Sequence, residues 1–519
     1  MKYQVKDQES IDTHHDVMLS VIIGPLKFLV PVAGYLILYP IMLKKSGVEI
    51  IGLWSLLTTI VSYISLTDLG FSLLLTREAG KDRSKKELNE LFKDYIASQR
   101  LYMIMCLVLL TIFLIVHRMI LSFLGSIYPG QAFLLSIFLL IIASTLYLVA
   151  KLDAAILSAR NENYYIQLIT AITPVFVFSS AIYGSWLGRP IEGYSFGTLL
   201  ASITEIFAYR WKLLNSHQQW VHSRAPITWR ATFNQIQSLI HRGWHFYSIS
   251  LGFVFREPIF RWILALTLGL ETVGIYSIAN RLTLTARNLI ASGFSALYPS
   301  LAYFNRLGKK EETKDLLQVS LLFLLSLGAG SIGLLIMMAD IIISLWLGEV
   351  PKGLIISIKI LGLWNVLTIA NVPFWYLLQA SGYEKKASLS LWLHTFSIFF
   401  LIPLHKIINI SLFFALSYWL LSALFTQIMI CFYVERKLSI FWESVLNQRI
   451  IILMILIVAF LSVALTTPLS LPTKEIPIFS SSWLFRLIPI VFYAIAAAFI
   501  LWLPLREYFF RKRKVVAKL

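Results

Sequence analysis

The residues of this chain best equipped for chemistry are charges set inside long apolar runs. Such runs carry Lys27, then Arg256 and Arg261, then Arg281 and Arg287. A guanidinium group matches the planar, bidentate geometry of phosphate oxygens, so the chemistry these arginines suggest is the binding of a phosphate-bearing anion. Asn280 precedes Arg287 by two helical turns, which sets both near one helix face as a polar stripe. An ionised side chain at the bilayer centre costs roughly 2.5–3.5 kcal/mol on insertion scales, so it faces a cavity, a partner or water. Lys27 lies about 15 Å along the first apolar run, too deep to reach the interface comfortably. Asp68, Asp153, Glu205 and Glu257 are candidates for coupling to an ion.

Each of these residues also has a plainer reading. Glu257 and Arg261 are four residues apart and suited to neutralising one another. Arg256 at the membrane edge would act as a topology charge, and Arg281 and Arg287 would bond backbone carbonyls freed by kinks. Asp68 would cap a helix or pair with a nearby base; Asp153 with Lys151, and Glu205, would form interhelical pairs. No spacing suits a metal or a cofactor. Cys106 and Cys431 lie far apart in apolar segments, which argues against a disulfide framework. The largest loop, 215–242, has no acidic residue, and the loop 469–482 has only Lys474 and Glu475 as charges. Neither holds the acid and base groups of a membrane-bound transferase, polymerase or ligase, so the chain is expected not to be an enzyme.

The elements that must position these charges are membrane helices. Hydrophobic residues make up 58% of the 519 residues and charged ones only 14%, well below the roughly 25% charged of a soluble domain. Apolar stretches long enough to span a bilayer recur throughout. They predict an all-α polytopic protein with about fourteen transmembrane helices, near 17–43, 50–76, 95–123, 130–158, 164–187, 192–214, 243–268, 272–303, 315–347, 353–380, 386–405, 410–434, 449–468 and 483–505. Residues 1–16 form a polar tail with no small-residue cleavage site behind it, so the first run reads as a span. Pro25, Pro31 and Pro40 in the first helix and Pro258 in the seventh predict bends.

With the N-terminus inside, the cytoplasmic loops and tails hold 29 Lys and Arg and the outer loops 7. That bias fixes the orientation, with both termini cytoplasmic. It also accounts for the net charge of +18 without nucleic acid, since the basic tail 506–519, with RKRK at 511–514, suits a topology anchor beside anionic lipid headgroups.

The chain repeats itself. EIIGLWS (49–55) and ETVGIYS (271–277) match at an offset of 222, Gly70-Phe71-Ser72 and Gly293-Phe294-Ser295 at 223, and ILSARNEN (156–163) and LLQASGYE (377–384) at 221. These matches divide the chain into a six-helix bundle at 17–214, a linker at 215–242, a second six-helix bundle at 243–434, an extra pair at 449–505 and the basic tail. An even number of helices per copy relates the halves by a pseudo-two-fold axis along the membrane normal. Transporters of this design bind substrate between their halves and alternate access by rocking.

GLWSLLTTIVSYISLTDLGFSLLLTREAGK (52–81) and LGLETVGIYSIANRL (268–282) resemble the paired signatures of polysaccharide and O-antigen flippases, within the multidrug/oligosaccharidyl-lipid/polysaccharide exporter superfamily. The fourteen-helix count also resembles the lipid II flippases, whose last helix pair forms a lipid-facing groove. The resemblance implies translocation of undecaprenyl-pyrophosphate-linked sugar units across the inner membrane, driven by an ion gradient or the membrane potential. It implies a monomer that works beside a polysaccharide polymerase and a chain-length regulator. Members often carry an acidic residue in helix 7 before the Leu-Gly motif, where this chain reads FREPIFRWILALTLG (255–269), with Arg256, Glu257 and Arg261. A multidrug or cation antiporter of the same superfamily is the alternative. Four arginines in helices 7 and 8 weigh against it, while Asp68, Asp153 and Glu205 weigh for it.

Overall fold

The structure, a computed structural model, describes residues 26–65, 85–124, 129–160, 162–216, 255–292, 297–439 and 448–466. It also describes residues 23, 68, 71–72, 75–76, 232–233, 235–237, 294, 489–491 and 493–497. The expected tails 1–16 and 506–519, the start of the first span, most of the linker and the loop 469–482 lie outside the described residues.

Every regular element among the described residues is helical. Seven of the helices are long and apolar enough to cross a bilayer, from Leu91–Arg118 to Leu412–Leu438, and two shorter apolar ones accompany them. Large apolar side chains such as Leu107, Leu114, Ile115 and Val458 are exposed. That surface suits hydrocarbon and not water, and the chain is an all-α, multi-pass membrane protein.

The chain divides into two units, Met1–Pro258 and Ile259–Leu519. The first holds α1 (Leu26–Ser46), α2 (Val48–Ser65), α3 (Lys85–Leu124), α4 (Gly130–Ala159), α5 (Asn163–Trp186) and α6 (Pro190–Ser216). Helix α7 (255–268) crosses the division. The second unit continues with α8 (Leu270–Ser292), α9 (Leu297–Arg306), α10 (Lys310–Met337), α11 (Ala339–Leu347), α12 (Leu354–Ala380), α13 (Glu384–Ser397), α14 (Leu401–Ile408), α15 (Leu412–Leu438) and α16 (Gln448–Thr466).

Three expected helices are each divided into shorter ones. The helix expected at 272–303 is α8 and α9. Pro299 lies in the opening turn of the second, where amides lack intrahelical partners. The helix expected at 315–347 breaks at Met338, and Asp340 lies in the first turn of α11, where its carboxylate accepts the Ile341 amide at 3.0 Å and faces the positive end of the helix dipole. The helix expected at 386–405 passes through a 3-10 turn, Ile398–Phe400, with Pro403 in the opening turn of α14.

The repeated phrases now have a geometric reason. Gly47 and Gly269 have φ of 83° and 86° and end the helices before α2 and α8. Only glycine takes this left-handed conformation without strain. Glu49 and Glu271 follow in the first turn of the next helix, favourable beside its dipole. Within each unit the first two helices then meet through aromatic rings, Tyr39 with Trp54 at 5.7 Å and Phe260 with Tyr276 at 5.1 Å. The third echo is a turn. The Glu162 amide donates to Leu157 O at 3.1 Å, and the Tyr383 amide donates to Leu378 O at 2.9 Å, 221 residues later. The sixth helices, Pro190–Ser216 and Leu412–Leu438, are displaced by 222 residues at both ends.

The C-terminal helices are built into the second unit. Gly330 and Gly333 of α10 leave notches in which an added Cβ would lie 2.8 Å from Tyr493 and 2.1 Å from Phe460. Those two rings stack at 4.6 Å, and the Tyr493 hydroxyl donates to Ser326 O at 3.1 Å. Lys359 of α12, buried, donates through Nζ to Leu465 O at 3.0 Å, a cation at the C-terminal end of α16.

Candidate substrate and ion-coupling sites

In the first unit the carboxylates form three separate sites. Asp68 is buried and receives four donors: Lys151 Nζ at 2.8 Å, Ser72 Oγ at 2.6 Å, the Ser72 amide at 3.1 Å and Tyr102 OH at 2.6 Å. Its charge is neutralised by a lysine from α4 and its lone pairs are filled, the condition under which a buried carboxylate is tolerated.

Asp153 is completely buried on α4. It accepts from Arg210 Nε of α6 at 2.9 Å and from the Tyr95 hydroxyl of α3. Tyr95 OH in turn accepts from Arg210 Nη2 at 3.0 Å and from Gln99 Nε2 at 2.7 Å. Lys151 therefore serves Asp68, and Asp153 draws its cation from α6. Together the two sites tie α3, α4 and α6 to the segment that follows α2.

Glu205 differs from both. It lies buried on α6, and Thr173 Oγ1 of α5 donates to its Oε1 at 3.0 Å. Among the described residues no cation pairs with it. Two further bonds tie the inter-unit segment to α3: Arg100 Nη1 donates to Thr232 Oγ1 at 2.6 Å, and Gln235 Nε2 donates to Asp94 Oδ1.

The basic candidates are carried by α1, α7 and α8. Arg256 and Glu257 fall in the first unit and Arg261 in the second, all half-buried on α7. Arg281 and Arg287 are half-buried on α8, and Asn280 is buried in the run 273–280. Asn280 and Arg287 share a helix face but not a depth of burial. Lys27 is half-buried in the first described turn of α1.

Sequence reasoning did not find Tyr95, Gln99, Tyr102, Thr173 or Arg210. A signal was present. Tyr95, Gln99 and Tyr102 are spaced by four and three residues, a polar stripe along one face of an otherwise apolar helix. The network has no counterpart at the equivalent positions of the second unit, where offsets of 221 and 222 replace Asp153 by Phe374 and Arg210 by Phe432.

A family model described as polysaccharide biosynthesis protein matches residues 18–305, more than half of the chain. The chain belongs to the polysaccharide biosynthesis protein family. No curated protein sequence matches it significantly. Among solved structures it is similar to "Lipid II flippase MurJ, inward closed conformation", with a TM-score of 0.61 at 14% identity over 95% of this chain and 99% of that one. It is also similar to an inward-facing "multidrug resistance MATE family transporter of the MOP superfamily", with a TM-score of 0.56 at 13% identity over 83% of this chain and 98% of that one. An outward-facing structure under the same description gives 0.52 at 13% identity over 83% and 95%. At these identities the likeness concerns the fold. The family member shares the fold of these structures.

Proposed function

We propose that this family member is a flippase for undecaprenyl-pyrophosphate-linked sugar repeat units, of O-antigen or another surface polysaccharide, working by alternating access in the bacterial inner membrane. The observation that carries the reading is the end-to-end likeness to a lipid II flippase. That fold covers 95% of the chain where the MATE fold covers 83%, a difference of about sixty residues, close to the length of the final helix pair. An extra helix pair beyond the twelve-helix body suits a substrate with a long lipid tail that stays in the bilayer while its polar head crosses. Arg256 and Arg261 on α7 and Arg281 and Arg287 on α8, with Lys27 and Asn280, are the groups proposed to meet the pyrophosphate, because guanidinium pairs bind it through bidentate bonds.

Both termini are proposed to be cytoplasmic, on the strength of the basic loops. The protein is proposed to act as a monomer, handing its product to a polymerase and a chain-length regulator. The multidrug antiporter reading is favoured by the buried carboxylates of the first unit. The two separate by gene deletion. A flippase deletion leaves the lipid-linked unit on the cytoplasmic leaflet, abolishes surface polysaccharide and leaves drug susceptibility unchanged. Intact polysaccharide with increased drug susceptibility would establish the antiporter instead.

A further inference from the structure

We propose that Glu205 is a proton-binding site of the first unit, and that Asp68 and Asp153 are structural. The inference begins with depth. Glu205 lies eleven residues before the end of α6 at Ser216, about 16 Å of helix rise, and is buried against its neighbours. A carboxyl group there is kept either by pairing with a cation or by holding its own proton. Asp68 and Asp153 follow the first course, each with an ion pair at 2.8 or 2.9 Å. Glu205 follows the second: its hydrogen-bond partner is the neutral Thr173 hydroxyl, and no cation pairs with it among the described residues.

The surroundings on each packed element fit a neutral acid. Helix α6 packs against α4 and α5. On α4 the nearest titratable groups in sequence are Tyr147, a neutral phenol, and Lys151 and Asp153, which are occupied with Asp68 and Arg210. From α5 come the hydroxyls of Thr173 and Thr170, the latter bonded to Tyr209 OH at 3.2 Å. On α6 itself Tyr209 is in electrostatic range, and Arg210 is held by Asp153. These phenols and hydroxyls supply no permanent charge to Glu205.

The repeat provides an internal comparison. At the offset of 222 that aligns α6 with α15, Glu205 corresponds to Gln427, and at the offset of 221 that aligns the fifth helices, Thr173 corresponds to His394. The second unit thus keeps a side chain of the same shape and polarity at this position without the ionisable oxygen. Packing alone tolerates Gln there.

The consequence for transport rests on the flippase reading: proton uptake and release at Glu205 would bias the first unit between its conformations. The site itself does not depend on that reading, and the experiment separates the two. Infrared spectra of the full-length protein in lipid vesicles are recorded from acid to alkaline pH for wild type and for Glu205→Gln, Glu205→Asp, Asp68→Asn and Asp153→Asn, each at matched abundance. A protonated-carboxyl band that titrates in wild type should be lost in Glu205→Gln, shifted in Glu205→Asp and unchanged in the two Asn variants. Surface-polysaccharide export in cells should be lost in Glu205→Gln and partly retained in Glu205→Asp. A titrating band that survives Glu205→Gln would overturn the site. A band that disappears as expected, in a protein whose deletion leaves polysaccharide intact, would uphold the site and refute the flippase reading.

Discussion

Removing one partner of the Asp153–Arg210 pair should cost more from one side than from the other. Asp153 is fully buried, whereas the Arg210 side chain is 42% exposed. Breaking a buried ion pair from one side commonly costs about 3–5 kcal/mol, because the remaining charge is stranded. With Asp153→Ala the stranded guanidinium keeps its bond to Tyr95 OH and rehydrates at its exposed edge, so the cost should fall near the lower bound, about 3 kcal/mol. With Arg210→Ala the stranded carboxylate keeps only the Tyr95 hydroxyl and has no access to water, so the cost should approach about 5 kcal/mol. The double variant leaves no orphan charge and should cost less than the sum of the two single variants, a coupling of up to about 3 kcal/mol. Reversible unfolding of the purified protein in mixed micelles, followed by tryptophan fluorescence, gives the full cycle. Equal costs for the two single variants, or strict additivity in the double, would refute this account of the network.

Replacing Arg281 or Arg287 by Ala should leave abundance unchanged but stop export with accumulation of the lipid-linked unit, since truncating a hydrogen-bonded charge partner costs on the order of 2–5 kcal/mol. Lys should rescue partly and Glu not at all; wild-type export from both Ala variants would remove the phosphate-clamp role. Gly333→Ala should destabilise the second unit by about 1–3 kcal/mol, because its Cβ would meet the Phe460 ring; an unchanged thermal midpoint in detergent would show that the ring has room to move. Cysteines placed at Lys44, Arg189 and Lys474 should react with an impermeant reagent from outside and those at Lys85, Arg224 and Lys512 from inside; labelling of Lys474 from the cytoplasm would remove the fourteen-helix topology.

The helix order was legible because hydrophobic length and the repeat act locally. The α4–α5 turn and its copy 221 residues later were visible as ILSARNEN and LLQASGYE before any coordinates, since a short turn depends on its own few residues. The interruptions at Met338 and within Ile398–Phe400 were harder to see. Hydropathy runs across both without a dip, and the interruption depends on whether Asp340 or Pro403 opens a new helix. Pairing was the least legible. Lys151 and Asp153 are neighbours in sequence, yet two residues on a helix point in different directions, so one reaches Asp68 and the other Arg210. Nor does sequence alone separate Glu205 from the paired aspartates, because the distinction lies in what faces it from α4 and α5.

The central claim is that the chain moves a lipid-pyrophosphate-linked sugar from one leaflet to the other. The measurement that tests it most directly uses vesicles containing the purified full-length protein and an undecaprenyl-pyrophosphate sugar labelled with a fluorophore, with leaflet position read by an impermeant quencher. The account predicts that labelled lipid changes leaflet with wild-type protein and fails to do so with Arg287→Ala. Vesicles in which wild-type protein leaves the lipid on its original leaflet, with and without an imposed proton gradient, while exporting a cationic dye, would contradict it.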